Sequence, residues 1–194
     1  MENKNRWNGK IIQGFEILSA FDIGYKTIVL AKNKYASLKE KYLCGILTNN
    51  GAYEIITDCL ISDNYAELAS VMGERIMNES EKVLRKLEEI QIVTGDNLEI
   101  TECDRFENEA IENKVLVLDG DKLPPEYRCA AYQLMYCTGG FGAQENPRGR
   151  TCFVKRIYDD QEMSWIRSDF IGYMPEEKLP KWAKEKIQNI KGNK

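Results

Sequence analysis

Four sets of residues in this sequence are of types that can do chemistry: six cysteines, a glycine-rich segment, pairs of aspartates and a run of arginines. Histidine is not among them, because the chain has none. That removes Ser-His-Asp and Cys-His nucleophile activation, histidine zinc sites and the usual acid/base group near neutral pH. Catalysis would have to come from paired carboxylates, lysines or a metal. Asp119 with Asp121 and Asp159 with Asp160 are the carboxylate pairs. Both lie in turns, where aspartate is common because its side chain bonds nearby backbone, and no spacing matches a calcium loop. Cys44, Cys59, Cys103, Cys129, Cys137 and Cys152 are scattered, never as Cys-x-x-Cys. Four of them, Cys44, Cys59, Cys137 and Cys152, sit in apolar runs and read as small buried hydrophobes, with a thiolate metal site as the alternative. The sequence predicts no catalytic residue, no metal and no cofactor.

The glycine-rich segment is Thr138-Gly139-Gly140-Phe141-Gly142-Ala143. A nucleotide phosphate loop needs Gly-Lys-Ser/Thr opening a helix, so that amides and a lysine converge on phosphate oxygens. Here no lysine follows, the next residues are Gln144-Glu145-Asn146-Pro147, and Glu145 stands where the dinucleotide pattern needs its third glycine. Two readings remain: a mobile glycine hinge between two strands, or a loop that contacts a partner. Arg148, Arg150, Lys155, Arg156 and Arg167 follow closely, interleaved with Tyr158 and Trp165. Cations and rings in this mixture could bind nucleic acid, cations on phosphates and rings on bases. An ordinary solvated face balanced by Asp159, Asp160, Glu162 and Asp169 is the plainer alternative.

Charge is unevenly spread. Residues 63–113 hold 5 basic and 14 acidic side chains, against 8 and 6 in residues 1–62 and 14 and 11 in residues 114–194. Glu67, Glu74, Glu81 and Glu88 belong to this acidic middle segment. They fit either a solvated helix face or a negative surface that competes with phosphate for the basic channel of a nucleic-acid enzyme.

The elements that must position these residues follow from periodicity. Residues 15–20, 26–31, 42–48 and 52–60 read as four strands in hairpin order, with Gly24 in one turn and Asn50-Gly51 in another. Ser62 or Asp63 offers a helix cap. Tyr65, Leu68, Ala69, Met72, Ile76, Val83, Leu87 and Ile90 then recur at steps of three and four, as one long helix, kinked or split near Gly73 and residues 78–80. Residues 90–93 and 98–101 could pair as a hairpin, and 102–112 form an exposed linker or short helix. A second meander is expected from 115–118, 132–138, 151–158 and 163–167, with an extended Leu123-Pro124-Pro125. Pro175 or Pro180 opens a closing helix. The fold class predicted is α+β: an N-terminal antiparallel sheet packed by a long amphipathic helix (10–92), an acidic connecting region (93–122), and a small C-terminal antiparallel β-meander with a closing helix (123–194). No run approaches the roughly 18–20 apolar residues that span a bilayer. The first residues lack the apolar core of a signal peptide, so a cytoplasmic protein is expected.

Two stretches carry a resemblance. One runs from Phe15-Glu16-Ile17-Leu18-Ser19 through Ile28-Val29-Leu30 to Ile61-Ser62-Asp63, Ala66 and Arg75. The other holds Leu123-Pro124-Pro125-Glu126-Tyr127-Arg128, Tyr132-Gln133-Leu134, Thr138-Gly139-Gly140-Phe141-Gly142, Arg148-Gly149-Arg150, Trp165, Arg167-Ser168-Asp169 and Leu179-Pro180-Lys181-Trp182-Ala183. Together they resemble small accessory proteins, and modules of large polyvalent proteins, of Firmicutes conjugative elements and phages. Antirestriction factors and anti-CRISPR inhibitors belong to that setting. The resemblance implies a counter-defence role in the host bacterial cytoplasm, as an inhibitor that binds an RNA-guided DNA endonuclease with its guide RNA and blocks DNA binding or cleavage. Glu67, Glu74, Glu81, Glu88, Gly139, Gly140, Phe141, Arg148 and Arg150 are the partner-contact candidates. Two alternatives stay open. One is a nucleic-acid-binding accessory or antirestriction protein using Arg148, Arg150, Lys155, Arg156 and Arg167; the other is a nuclease acting on guide RNA or DNA.

Overall fold

Alternating apolar and polar residues in the first third of the chain build a curled antiparallel meander. Its strands are β1 (Ile11–Ile12), β2 (Phe15–Ile23), β3 (Lys26–Asn33), β4 (Tyr42–Asn49) and β5 (Glu54–Ser62), paired in that order. The computed structural model describes residues 6–35, 40–49, 53–94 and 103–192. The Asn50-Gly51 turn and the expected strand 98–101 lie outside them. Gly24 does turn the chain between β2 and β3, at φ 54.

β3 is covered on both sides, which explains its unbroken apolar run. Val29 and Ala31 point to one core with Trp7, Ile12, Ile17, Leu43, Leu47 and Ile56. Ile28 and Leu30 point to the other, against Leu68 and Met72 of a helix. That helix, α1 (Tyr65–Thr94), is continuous over 30 residues, so neither Gly73 nor residues 78–80 break it. Its cap is Asn64, not Ser62 or Asp63. The Asn64 side-chain oxygen accepts from the amides of Ala66 at 3.0 Å and Glu67 at 3.4 Å, while Ser62 Oγ accepts from the Asn64 amide and donates to Glu67. Arg75 of α1 donates to the carbonyl of Asp58 at 2.8 Å, where β5 bulges with Asp58 at φ 50. Residues 90–93, expected to begin a hairpin, are helical instead.

The chain divides by its contacts into Met1–Lys86 and Leu87–Lys194. The second unit is another antiparallel sheet: β6 (Val115–Leu118), β7 (Leu134–Gly139), β8 (Thr151–Arg156), β9 (Glu162–Ile166) and β10 (Phe170–Met174), in the order β10-β6-β7-β8-β9. β6 is thus an inner strand of this sheet and not part of a connecting region. A short helix, α2 (Ala130–Gln133), precedes β7, and α3 (Lys181–Gly192) closes the unit after Pro180. Val115, Val117, Leu134 and Tyr136 form a core with Leu179, Trp182, Ala183 and Ile187. Leu123 and Pro124 are extended, as a residue before proline must be, with ψ 149 and 145. Within 103–112 there is no helix; Asp104 instead pairs with Tyr173, exchanging backbone hydrogen bonds of 2.9 and 2.8 Å along the outer edge of β10.

β9 forms the opposite edge. Hydrogen bonds from Arg156 to Gln161 and from Arg167 to Arg150 fix the register with β8. They turn the amides and carbonyls of Glu162, Ser164 and Ile166 outward, away from β8. The Ile166 amide is taken by the Asp169 carboxylate at 3.2 Å, and no strand among the described residues pairs with β9 on that side.

Candidate functional site

The glycine-rich segment ends β7 and opens a loop, residues 140–150, that returns at the start of β8. Glycine is required here by close approach. Gly140 has φ 105, and a Cβ on it would stand 2.5 Å from the carbonyl oxygen of Thr151. The Gly142 amide donates to that same carbonyl at 2.8 Å. Further backbone bonds run from Ala143 to Gly140, from Ile111 to Ala143 and from Asn146 to Asn108.

Arg167 completes the attachment. Its guanidinium donates at 2.8 Å to the carbonyls of Gly142, Glu107 and Glu109, and it lies 4.8 Å from the centre of the Phe106 ring. A loop tied at this many points is not the mobile hinge that its glycines suggest. The strand-end glycines let it pack tightly against β8.

What the pinned loop presents is Phe141, 70% exposed, packed over Gly149, where a Cβ would stand 2.6 Å from the Phe141 Cβ. Arg148 and Arg150 are exposed beside it in sequence, and among the described residues neither has an ion-pair partner. The other cations of the proposed nucleic-acid set are placed differently. Arg156 is 6% exposed; it forms two bonds to Asp159, at 2.8 and 2.5 Å, another to Gln161, and covers the Tyr132 ring at 4.4 Å. Lys155 faces Glu162 at 3.7 Å. Arg156 and Arg167 are therefore spent inside the fold, and the exposed cationic set shrinks to Arg148, Arg150 and a paired Lys155.

Burial alone would raise the Asp159 carboxyl, but the Arg156 guanidinium outweighs it and holds the group below its ordinary value. A carboxylate with a lowered folded-state pKa stabilises above its unfolded value, and that contribution disappears as pH falls through the folded one. Asp159→Asn is therefore expected to destabilise the protein at pH 7 by about 2 kcal/mol, leaving a buried cation less well paired. The gap from wild type should narrow as pH falls through the folded-state value, below the ordinary carboxylate range, as read by urea unfolding at pH 7 and at successively lower pH.

Four glutamates of α1 stand at intervals of seven residues. At about 1.5 Å per residue they form a row with roughly 10.5 Å spacing that drifts slowly around the helix. Glu67 is engaged with Ser62 at the helix start. Glu74, Glu81 and Glu88 are exposed, and Met77 and Leu84 between them are 57% and 58% exposed. Glu67, Glu74 and Glu81 belong to the first unit, Glu88 and the loop to the second.

Three of the cysteines expected in apolar cores are buried: Cys44, Cys137 and Cys152. Cys59 is exposed, because β5 is an edge strand with residues 57–61 facing solvent. Cys137 and Cys152 lie on neighbouring strands, Cys137 being opposite Val154, two residues from Cys152. A hydrogen bond from the Cys152 thiol outweighs burial and holds Cys137 below the ordinary thiol range, with Arg167 contributing in the same direction. That bond, with burial, pushes Cys152 up. This pair and the Arg167 clamp escaped the sequence reading; the available signal was that Cys137 and Cys152 stand one on each side of the glycine loop. Asp119 serves as a turn cap, accepting from the Asp121 amide at 3.0 Å. Among the described residues no group of three or more Cys, Asp or Glu is placed to hold a metal ion, and no helix is long and apolar enough to cross a membrane.

No family model matches the chain, and neither does any curated protein or any solved structure.

Proposed function

We propose that this protein acts by docking onto a macromolecule, as an inhibitor of the anti-CRISPR type that engages an RNA-guided DNA endonuclease in the host cytoplasm and blocks its capture or cleavage of DNA. The observation that carries the docking reading is the pinned loop, in which an aromatic ring 70% exposed packs over Gly149, whose chain neighbours Arg148 and Arg150 are exposed and, among the described residues, have no ion-pair partner. Aromatic and arginine side chains dominate binding energy at protein interfaces, and a loop ordered before contact loses less entropy on binding. The choice of partner rests on the resemblance to counter-defence proteins of conjugative elements and phages. Glu74, Glu81 and Glu88 suit the same partner class, since a nuclease channel built for phosphate is basic.

The test is capture of a purified, guide-loaded effector of a Firmicutes host by the immobilised protein at micromolar concentration in moderate salt. A stable complex is expected. Failure to form one across a panel of such effectors removes the inhibitor reading.

Direct nucleic-acid binding is the second reading, favoured by Arg148 and Arg150, which are exposed and without an ion-pair partner among the described residues and which flank the Gly149 under Phe141. It predicts binding of single-stranded DNA or RNA that weakens with salt, with a slope reduced by between about one and two counterions in Arg148→Ala/Arg150→Ala. No mobility shift at low salt would end it.

A further inference from the structure

The two thiols beneath the loop have no part in docking, and their placement gives them a chemistry of their own. Cys137 is the third-last residue of β7, immediately before Thr138, and Cys152 is the second residue of β8. Cys137 pairs in register with Val154, and Val154 and Cys152, two residues apart on one strand, face the same side. The cysteines are therefore diagonal neighbours across the β7–β8 pair. Both are 0% exposed, and they lie near enough for each thiol to perturb the other. Cys137 Sγ lies 3.9 Å from the carbonyl oxygen of Gly139 and Cys152 Sγ 4.0 Å from that of Arg150, so the pair sits directly below the two ends of the loop. A Cβ on Gly142 would come within 3.0 Å of Cys152 Sγ, which places the loop itself as the cover over the sulfurs.

We propose that Cys137 and Cys152 form a site of reversible oxidation, converted by hydrogen peroxide into a disulfide that cinches the base of the loop. The Cys137 thiolate attacks one peroxide oxygen and the O–O bond breaks. The departing hydroxide takes up a proton as water, leaving Cys137 as a sulfenic acid. The Cys152 sulfur then attacks the Cys137 sulfur and the S–O bond breaks. The second hydroxide leaves with the Cys152 proton, also as water. Two thiols are oxidised by two electrons in total, and both peroxide oxygens are reduced to water. The acid-shifted partner is the one placed to attack first, and the resolving thiol is already near it. Peroxide is small enough to reach buried sulfurs that a bulky disulfide reagent cannot.

The full chain is exposed to hydrogen peroxide, quenched, denatured, alkylated and digested with trypsin. Cleavage after Arg128, Arg148, Arg150 and Lys155 puts the two cysteines in separate peptides, 129–148 and 151–155. The expected product is those two peptides joined by a bond that dithiothreitol releases, as the main oxidised form of both, with fragmentation placing the bond on Cys137 and not on Cys129, which shares its peptide. In Cys152→Ser, which lacks the resolving thiol, a sulfenic acid at Cys137 should be trapped by a cyclic dione instead. The proposal is overturned if wild-type Cys137 and Cys152 are both fully alkylated after peroxide has oxidised the exposed Cys59. It is equally overturned if Cys137 proceeds to the sulfinic acid, or joins a different cysteine, without the 129–148 to 151–155 link. These outcomes are read on the isolated chain and do not depend on which partner the loop binds.

Discussion

Arg167→Ala is expected to cost the second unit about 3 kcal/mol, since charge-assisted hydrogen bonds contribute about 1.5–3 kcal/mol each and water recovers part of the loss at the exposed carbonyls. Three backbone carbonyls, those of Gly142, Glu107 and Glu109, depend on this one guanidinium. Their spread also explains why lysine is a poor substitute: an ammonium is a single point on a flexible stem, and a planar fork is needed to reach all three. Arg167→Lys should recover less than half of the loss. Urea unfolding gives the energy, and hydrogen exchange gives its location, with faster exchange in peptides covering 107–111 and 140–150 and little change in β2–β4. A loss below about 0.5 kcal/mol would mean that the loop is held by its own backbone bonds and that Arg167 is incidental to it.

The second large effect is on binding. Truncating Phe141 is expected to weaken the captured complex by about 2 kcal/mol, roughly thirty-fold. Adding Arg148→Ala and Arg150→Ala should take the loss beyond about a hundred-fold. Because Phe141 is 70% exposed, its removal should leave thermal unfolding unchanged, which separates a docking role from a folding one. The arginine changes should act mainly on the association rate and lose their effect as salt rises. Unchanged affinity in the triple variant would move the contact surface elsewhere, with Glu74→Lys/Glu81→Lys the next pair to measure.

Much of the architecture was readable from local pattern. The four strands 15–20, 26–31, 42–48 and 52–60 and the apolar stripe of α1 depend on neighbours in sequence, and periodicity reports them. β10 was not readable in this way. Phe170-Ile171-Gly172-Tyr173-Met174 follows directly on a 3-10 turn, with no glycine or proline to mark a new strand. Its partner β6 lies more than fifty residues earlier. Glycine composition signals a loop here and records conformational freedom in an isolated chain, not the hydrogen bonds that the loop makes in the fold. Here the same residues are needed for close packing onto β8. Arg167 reads as a surface cation in sequence because its acceptors are main-chain carbonyls up to 60 residues away, and carbonyls have no letter in a sequence. The Arg156–Asp159 pair was nearer to view, within one hairpin, yet burial rather than proximity is what withdraws Arg156 from solvent.

The two margins of the second sheet differ in a way that bears on self-association. Asp104 occupies the outer side of β10, whereas β9 leaves the backbone groups of Glu162 and Ser164 turned toward solvent. A strand from a second molecule can therefore add along β9, edge to edge, more readily than along β10, where Tyr173 is already bonded to Asp104.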